Sequence, residues 1–125
     1  AGACAWLDWN VLLDETGGPN HVGNFCFAPI IADTRSGELH YTSSYYYLGH
    51  FSKFVKSNAK RIISASNRDS LQTTAFINSD GSTVVIVLNT TEVEIDYYLC
   101  IKDKAATVKS LPRSISTLVI NTNDI

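Results

Sequence analysis

Two tryptophans, an asparagine between acids, three histidines and three cysteines are the residues of this chain whose types could do chemistry. Trp6 and Trp9 stand three apart, with Asp8 and Asn10 around the second. On a strand that spacing turns them to opposite faces, so one packs inside while Trp9 is presented beside Asn10. An indole against the apolar face of a sugar ring, with an amide at its hydroxyls, is a common way to hold a carbohydrate. Two core tryptophans are the plainer alternative. Asp14-Glu15 is a carboxylate pair, but adjacent loop acids usually face solvent. His21, His40 and His50 have no metal spacing, and no P-loop, Gly-x-Ser-x-Gly or GxGxxG run occurs. No cofactor is implied. Asn89-Thr90-Thr91 fits the N-glycosylation acceptor pattern, which is frequent by chance.

Composition excludes several classes. The 125 residues suffice for a core without staples, and a net charge of −2 argues against a nucleic-acid partner. No apolar run approaches the roughly 20 residues of a membrane span. Cys4, Cys26 and Cys100 fit neither a disulfide framework nor a zinc site. Read as buried free thiols, they lean towards a cytoplasmic address. Residues 1–34 carry Asp8, Asp14, Glu15 and Asp33 without a Lys or Arg, whereas residues 39–68 carry Lys53, Lys56, Lys60, Arg61 and Arg68 without an acid. Two solvated faces of opposite sign explain this most simply. The chain contains no methionine and opens directly on an apolar segment. It is expected to be a piece of a longer polypeptide.

The elements that must position these residues follow from periodicity. Residues 3–13 are apolar except for Asp8 and Asn10, which predicts a strand buried on both faces, as in a parallel sheet. Residues 14–24 form a loop around Gly17-Gly18-Pro19-Asn20. Residues 27–33 and 38–43 flank Thr34-Arg35-Ser36-Gly37 and predict a hairpin. From Ser44 the period becomes helical: Tyr47, Leu48, Phe51, Phe54 and Val55 share a face. Ser43 or Ser44 would cap the start, Lys53 and Lys56 would lie in the last turn, and Asn58 would stop the helix. Residues 61–66, 71–78, 83–89, 93–101, 106–111 and 114–121 read as strands, with Asp80-Gly81 a hairpin signal. The fold class expected is mainly β: a sandwich of about seven or eight antiparallel strands with one helix.

Several of these runs carry a resemblance. Asp8-Trp9-Asn10, Gly17-Gly18-Pro19-Asn20, Asn24-Phe25, Pro29-Ile30-Ile31 and Leu48-Gly49-His50-Phe51-Ser52-Lys53-Phe54 are similar to the carboxy-terminal portion of glycoside hydrolase family 30. The family includes acid β-glucosidases acting on glucosylceramide and their bacterial relatives. Ser79-Asp80-Gly81-Ser82 and residues 84–89 fit its later hairpin. The resemblance implies the last β/α unit of a (β/α)8 barrel in residues 1–59 and a carboxy-terminal β-sandwich in residues 60–125. It implies a retaining mechanism with two glutamates about 5–5.5 Å apart. They would lie at the ends of the fourth and seventh barrel strands, both upstream of residue 1. No glutamate of this chain sits in a matching motif. The chain alone is therefore expected to be inactive, supporting the upstream catalytic barrel of the same polypeptide.

What the resemblance carries over is part of the sugar-binding wall. It implies that Trp9 lines the glycone subsite and that Asn24 reaches it from the following loop. Relatives that cleave glucosylceramide have Trp at the position of His21 and Arg at that of Gly23. An autonomous carbohydrate-binding module and a structural interaction domain remain alternatives, although the strands after Arg61 contain no tryptophan. Freed from its barrel, the chain is expected to dimerise through residues 4–13.

Overall fold

The computed structural model describes residue 3 and residues 5–121. Cys4 lies outside the described residues. The chain divides into two compact units, residues 1–48 and residues 49–125.

The first unit is built on a three-stranded sheet. Its strands are β1 (Leu12–Asp14), β2 (Ile30–Asp33) and β3 (Glu38–Tyr41), in that spatial order. β1 runs parallel to β2, with Leu12 opposite Ile30, and β2 pairs antiparallel with β3 through the expected turn. Gly37 closes that turn at φ +77, donating its N–H to the Asp33 carbonyl. Positive φ is what glycine supplies without a Cβ clash. Leu13 and Ala28 are the buried apolar side chains here.

The strand predicted over residues 3–13 is corrected. Parallel pairing does occur, but it starts only at Leu12, and the described residues before it are irregular. A strand exists by its ladder: the Val11 carbonyl accepts the Ile30 N–H at 3.0 Å, and no described strand pairs with residues 5–10. Trp6 and Trp9 are both exposed, so neither is a core residue within this chain.

Helix α1 (Ser43–Ser52) is shorter than its period suggested. Thr42 occupies the position before it, its hydroxyl 2.8 Å from that of Ser44 and 3.0 Å from the Pro29 carbonyl. Ser43 and Ser44 already lie inside the helix, and no backbone N–H is bonded to either hydroxyl among the described residues, so the expected cap at Ser43 or Ser44 is not formed. At the other end the i→i+4 bonds persist as Lys53 N–H to Gly49 O and Val55 N–H to Phe51 O. Lys53 and Lys56 lie beyond the helix, and the basic residue of its last turn is His50. Asn58 takes φ 66 and turns the connection after the helix rather than ending it. Asparagine tolerates that region better than most residues.

The second unit is the sandwich. Strands β4 (Lys60–Ile62), β5 (Leu71–Ile77), β6 (Thr83–Asn89) and β9 (Ser114–Ile120) form one antiparallel sheet in the order β4-β5-β6-β9. β7 (Ile95–Ile101) and β8 (Lys104–Ser110) form the other. Six strands make the sandwich among the described residues, fewer than expected, because the 30–41 hairpin belongs to the sheet of the first unit. The period-2 alternation puts Ile95, Tyr97, Leu99 and Ile101 of β7 on the inner face. They meet Leu71, Ala75, Val85, Val87, Leu118 and Ile120 of the larger sheet.

β6 is apolar on both faces because both are covered. Its other face carries Val84 and Ile86, flanked in register by Phe76 and Val119 and by Thr74 and Thr117. Phe51 meets Phe76 edge-on with ring centroids 6.4 Å apart, and His50 Nδ1 lies 2.8 Å from Thr117 Oγ1. Burial holds His50 below its ordinary pKa.

Candidate functional site

The loop between β1 and β2 is held by its own polar groups. Asp14 accepts from Thr16 N–H at 2.9 Å, Thr16 O–H at 2.6 Å and Gly18 N–H at 2.9 Å, all at Oδ1. The Thr16 hydroxyl is the main reason its carboxyl lies below the usual range. Glu15 accepts from the Thr34 N–H and hydroxyl, with Arg35 3.6 Å away, and its pKa is likewise lowered, chiefly by the Thr34 N–H. The two acids thus do not simply face solvent: one ties the loop's start and the other ties it to the β2–β3 turn. Gly17 stands at φ +77, where a Cβ would come within 2.5 Å of the Cys26 N. Only glycine lets the two sides of the loop approach this closely. The Gly18–Pro19 peptide bond is cis.

Asn20 holds the tip. Its Nδ2 donates to Gly17 O at 3.0 Å and Asn24 O at 2.6 Å, while Oδ1 accepts from Val22 N–H at 3.3 Å. The backbone of residues 20–24 is thereby closed into a small ring, with Gly23 at φ +67 making the reversal.

Against this loop lies an open concavity of about 630 Å³. Trp9 and Asn10 line one part of it; His21, Val22, Asn24 and Cys26 line another, with Pro19 and Asn20 beneath. Trp9 and Asn24, far apart in sequence, are brought into one surface. Trp6 is not part of it. Trp9 is 89% exposed, so its indole is presented rather than packed. The side chains of Asn10, His21 and Asn24 make no hydrogen bond to another described residue. Asp8 turns back on the chain, accepting the Trp9 N–H at 2.8 Å. An aromatic face surrounded by uncommitted donors and acceptors suits a ligand with apolar ring faces and several hydroxyls.

Sequence reasoning singled out Trp9 and Asn24 but passed over Val22 and Cys26. Both sit in a loop without periodicity, so the sequence carries no signal that would place them on this surface. It expected buried cysteines, yet Cys26 is partly exposed and Cys100 exposed, both as free thiols. On β7 the alternation that buries Leu99 turns its neighbour Cys100 outward.

The Asn89-Thr90-Thr91 pattern, discounted as frequent by chance, sits where its amide is not accessible. Asn89 is 1% exposed, and its Nδ2 donates to Val93 O, Ser110 O and Leu111 O. Its Oδ1 accepts from the Thr91 N–H and hydroxyl. The triplet is a turn-forming device with a buried amide. Among the described residues no three His, Cys, Asp or Glu side chains are grouped to hold a metal. No described helix is long and apolar enough to cross a membrane.

Comparison with known proteins gives a consistent picture. Residues 2–55 match the family model of the glycosyl hydrolase family 30 TIM-barrel domain, and residues 58–118 that of the family 30 beta sandwich domain. The lysosomal acid glucosylceramidase of Mus musculus is 42% identical over 72% of this chain and 18% of its own length. Putative glucosylceramidase 1 of Caenorhabditis elegans is 36% identical over 94% of this chain and 24% of its own. The chain thus spans about a quarter or less of the curated relatives it matches. SrfJ from Salmonella typhimurium superposes over 92% of this chain and 26% of its own, at a TM-score of 0.86 and 36% identity. An endo-beta1,6-glucanase at 23% identity, covering 91% of this chain and 26% of its own, shares the fold at a TM-score of 0.83.

Proposed function

We propose, for a chain that belongs to glycoside hydrolase family 30, that it is the carboxy-terminal, non-catalytic portion of a retaining β-glycosidase of the glucosylceramidase type. Residues 1–59 complete the upstream catalytic barrel of the same polypeptide and residues 60–125 form the sandwich that supports it. The interval between the two family matches supports that boundary. The active-site wall it supplies consists of Trp9, stacking on the sugar ring, and Asn24, hydrogen-bonding its hydroxyls. One observation carries this reading: the two residues line a single concavity where the indole is exposed and the amide has no hydrogen-bond partner among the described residues.

The test is kinetic, on the full-length protein with an aryl β-glucoside. Trp9→Ala and Asn24→Ala should each lower kcat/KM, since losing a subsite contact costs roughly 1–3 kcal/mol, about five- to 150-fold. Unchanged kinetics in both variants would remove the assignment. The chain expressed alone should hydrolyse nothing above the buffer rate, because retaining hydrolysis needs two placed carboxylates. It should also self-associate. Trp6, Leu7, Val11 and Leu12 are all exposed, and such a surface is covered by the barrel or by a second copy. Sedimentation at micromolar concentration distinguishes a dimer from a monomer.

A further inference from the structure

We infer that Asn20 is a positioning residue of this site: it bonds no sugar itself, and its amide sets where Asn24 stands in the wall. The inference rests on the proposed function, in which Asn24 bonds the sugar's hydroxyls, and deepens it by naming what holds that group in place. Three observations lead there. The first is how little else holds the loop. Among the described residues the backbone of residues 21–25 makes two hydrogen bonds, and both go to the Asn20 side chain. Val22 N–H donates to its Oδ1 at 3.3 Å, and Asn24 O accepts from its Nδ2 at 2.6 Å.

The second is that this clip is anchored. The same Nδ2 donates to Gly17 O at 3.0 Å. Gly17 O also accepts the Cys26 N–H, and the Gly17 N–H donates to the carbonyl of Asp14, the last residue of β1. One amide therefore refers the Asn24 backbone to the end of the sheet. The third is the contrast among the polar side chains that line the concavity. Asn10, His21 and Asn24 make no hydrogen bond to another described residue, whereas both N–H groups of the Asn20 amide are engaged by carbonyls. An amide so committed has no donor left for a ligand. Asn24 is exposed, and a side chain on an unheld backbone would have to be ordered at the moment of binding. A clip made beforehand removes that cost.

The experiment is calorimetric binding of a glucose-configured iminosugar, which is not hydrolysed, to the full-length protein. Asn20→Ala should weaken it about three- to tenfold, up to the worth of the one hydrogen bond that Asn24 makes, with the stoichiometry unchanged. Because residues that act through one another are not additive, Asn20→Ala in an Asn24→Ala background should weaken binding by less than about twofold. In a Trp9→Ala background its full effect should persist. Asn20→Asp keeps an acceptor for the Val22 N–H and removes both donors, so it should match Asn20→Ala, and it carries the test where the alanine variant does not fold. Equal loss in all three backgrounds would mean that the amide serves the loop's stability alone. That result, any other pattern across the backgrounds, or no loss in the parent protein overturns the inference. If Asn24→Ala weakens binding under such a result, the proposed function stands and only the role of Asn20 falls. If Asn24→Ala does not weaken binding, the part of the proposed function assigned to Asn24 fails and the inference falls with it.

Discussion

The asparagines of the two units do opposite things. In the sandwich, Asn78 and Asn89 are buried and every polar atom of their amides is engaged. Asn78 donates to Phe54 O and Ser82 Oγ, both at 3.0 Å, and accepts the Lys56 N–H at 2.9 Å. It thereby ties the segment after the helix to the β5–β6 turn. In the first unit Asn10 and Asn24 line an open concavity with their amides unengaged by any described residue. The same side chain is a structural bolt where the backbone surrounds it and, in the proposed function, a recognition group where the backbone turns away. Burial with full pairing marks the first kind, and exposure beside an aromatic face marks the second. Asn20 shows that the division is local rather than regional, since it sits under the concavity yet closes the loop.

The sharpest way to break this contrast is Asn89→Ala. It removes the bonds to the carbonyls of Val93, Ser110 and Leu111 and from the Thr91 N–H; the Val93 carbonyl keeps the Thr91 hydroxyl, while losing a partner at a buried group such as the Ser110 carbonyl costs roughly 1–3 kcal/mol. A loss of about 4 kcal/mol in unfolding free energy is expected by chemical denaturation. A loss below about 1 kcal/mol would mean that water replaces the amide. Leu71→Ala, in the core cluster between the sheets, should cost about 3 kcal/mol by the same measurement, within the range of such truncations. Asn24→Ala sharpens the comparison from the other side: it should change stability by no more than about 0.5 kcal/mol while impairing turnover. Equal destabilisation by Asn24→Ala and Asn89→Ala would abolish the distinction.

The smallest effect concerns His50. Its folded pKa lies below the ordinary 6.5 because burial disfavours the charged ring. As pH falls, the unfolded chain therefore takes up the proton first. The contribution is complete above about pH 6.5 and declines as pH drops below it. His50→Gln keeps a partner for the Thr117 hydroxyl and should flatten the decline in stability across that window. An unchanged slope would show that other groups set it.

Much of the sandwich was legible in the residues. The run of β-branched side chains in β6 appears as a strand over the same bounds, 83–89, and the alternation on β7 sorts its faces correctly. Both signals are local, because side chains on a strand take opposite faces by covalent geometry. The 34–37 turn was equally legible, since its glycine takes the conformation that other residues resist.

Other features were decided by partners remote in sequence. Residues 3–13 have the apolarity of a buried strand, yet the ladder begins only at Leu12, where Ile30 is opposite. Apolar composition states what a segment can bury, whereas strand structure needs a neighbour to hydrogen-bond. The Asn89 triplet shows the same limit. Its three residues specify an acceptor pattern, and only the convergence of Val93, Ser110 and Leu111 on the amide makes it interior. The concavity is the third case. Trp9 was singled out by type and Asn24 only by the resemblance, but their common surface depends on Gly17 meeting Cys26 and on Asn20 closing the loop between them. Sequence determined the kinds of groups available and their local periodicity. Tertiary structure decided which donors and acceptors the chain itself engages and which it leaves open, because that depends on carbonyls brought together from distant positions.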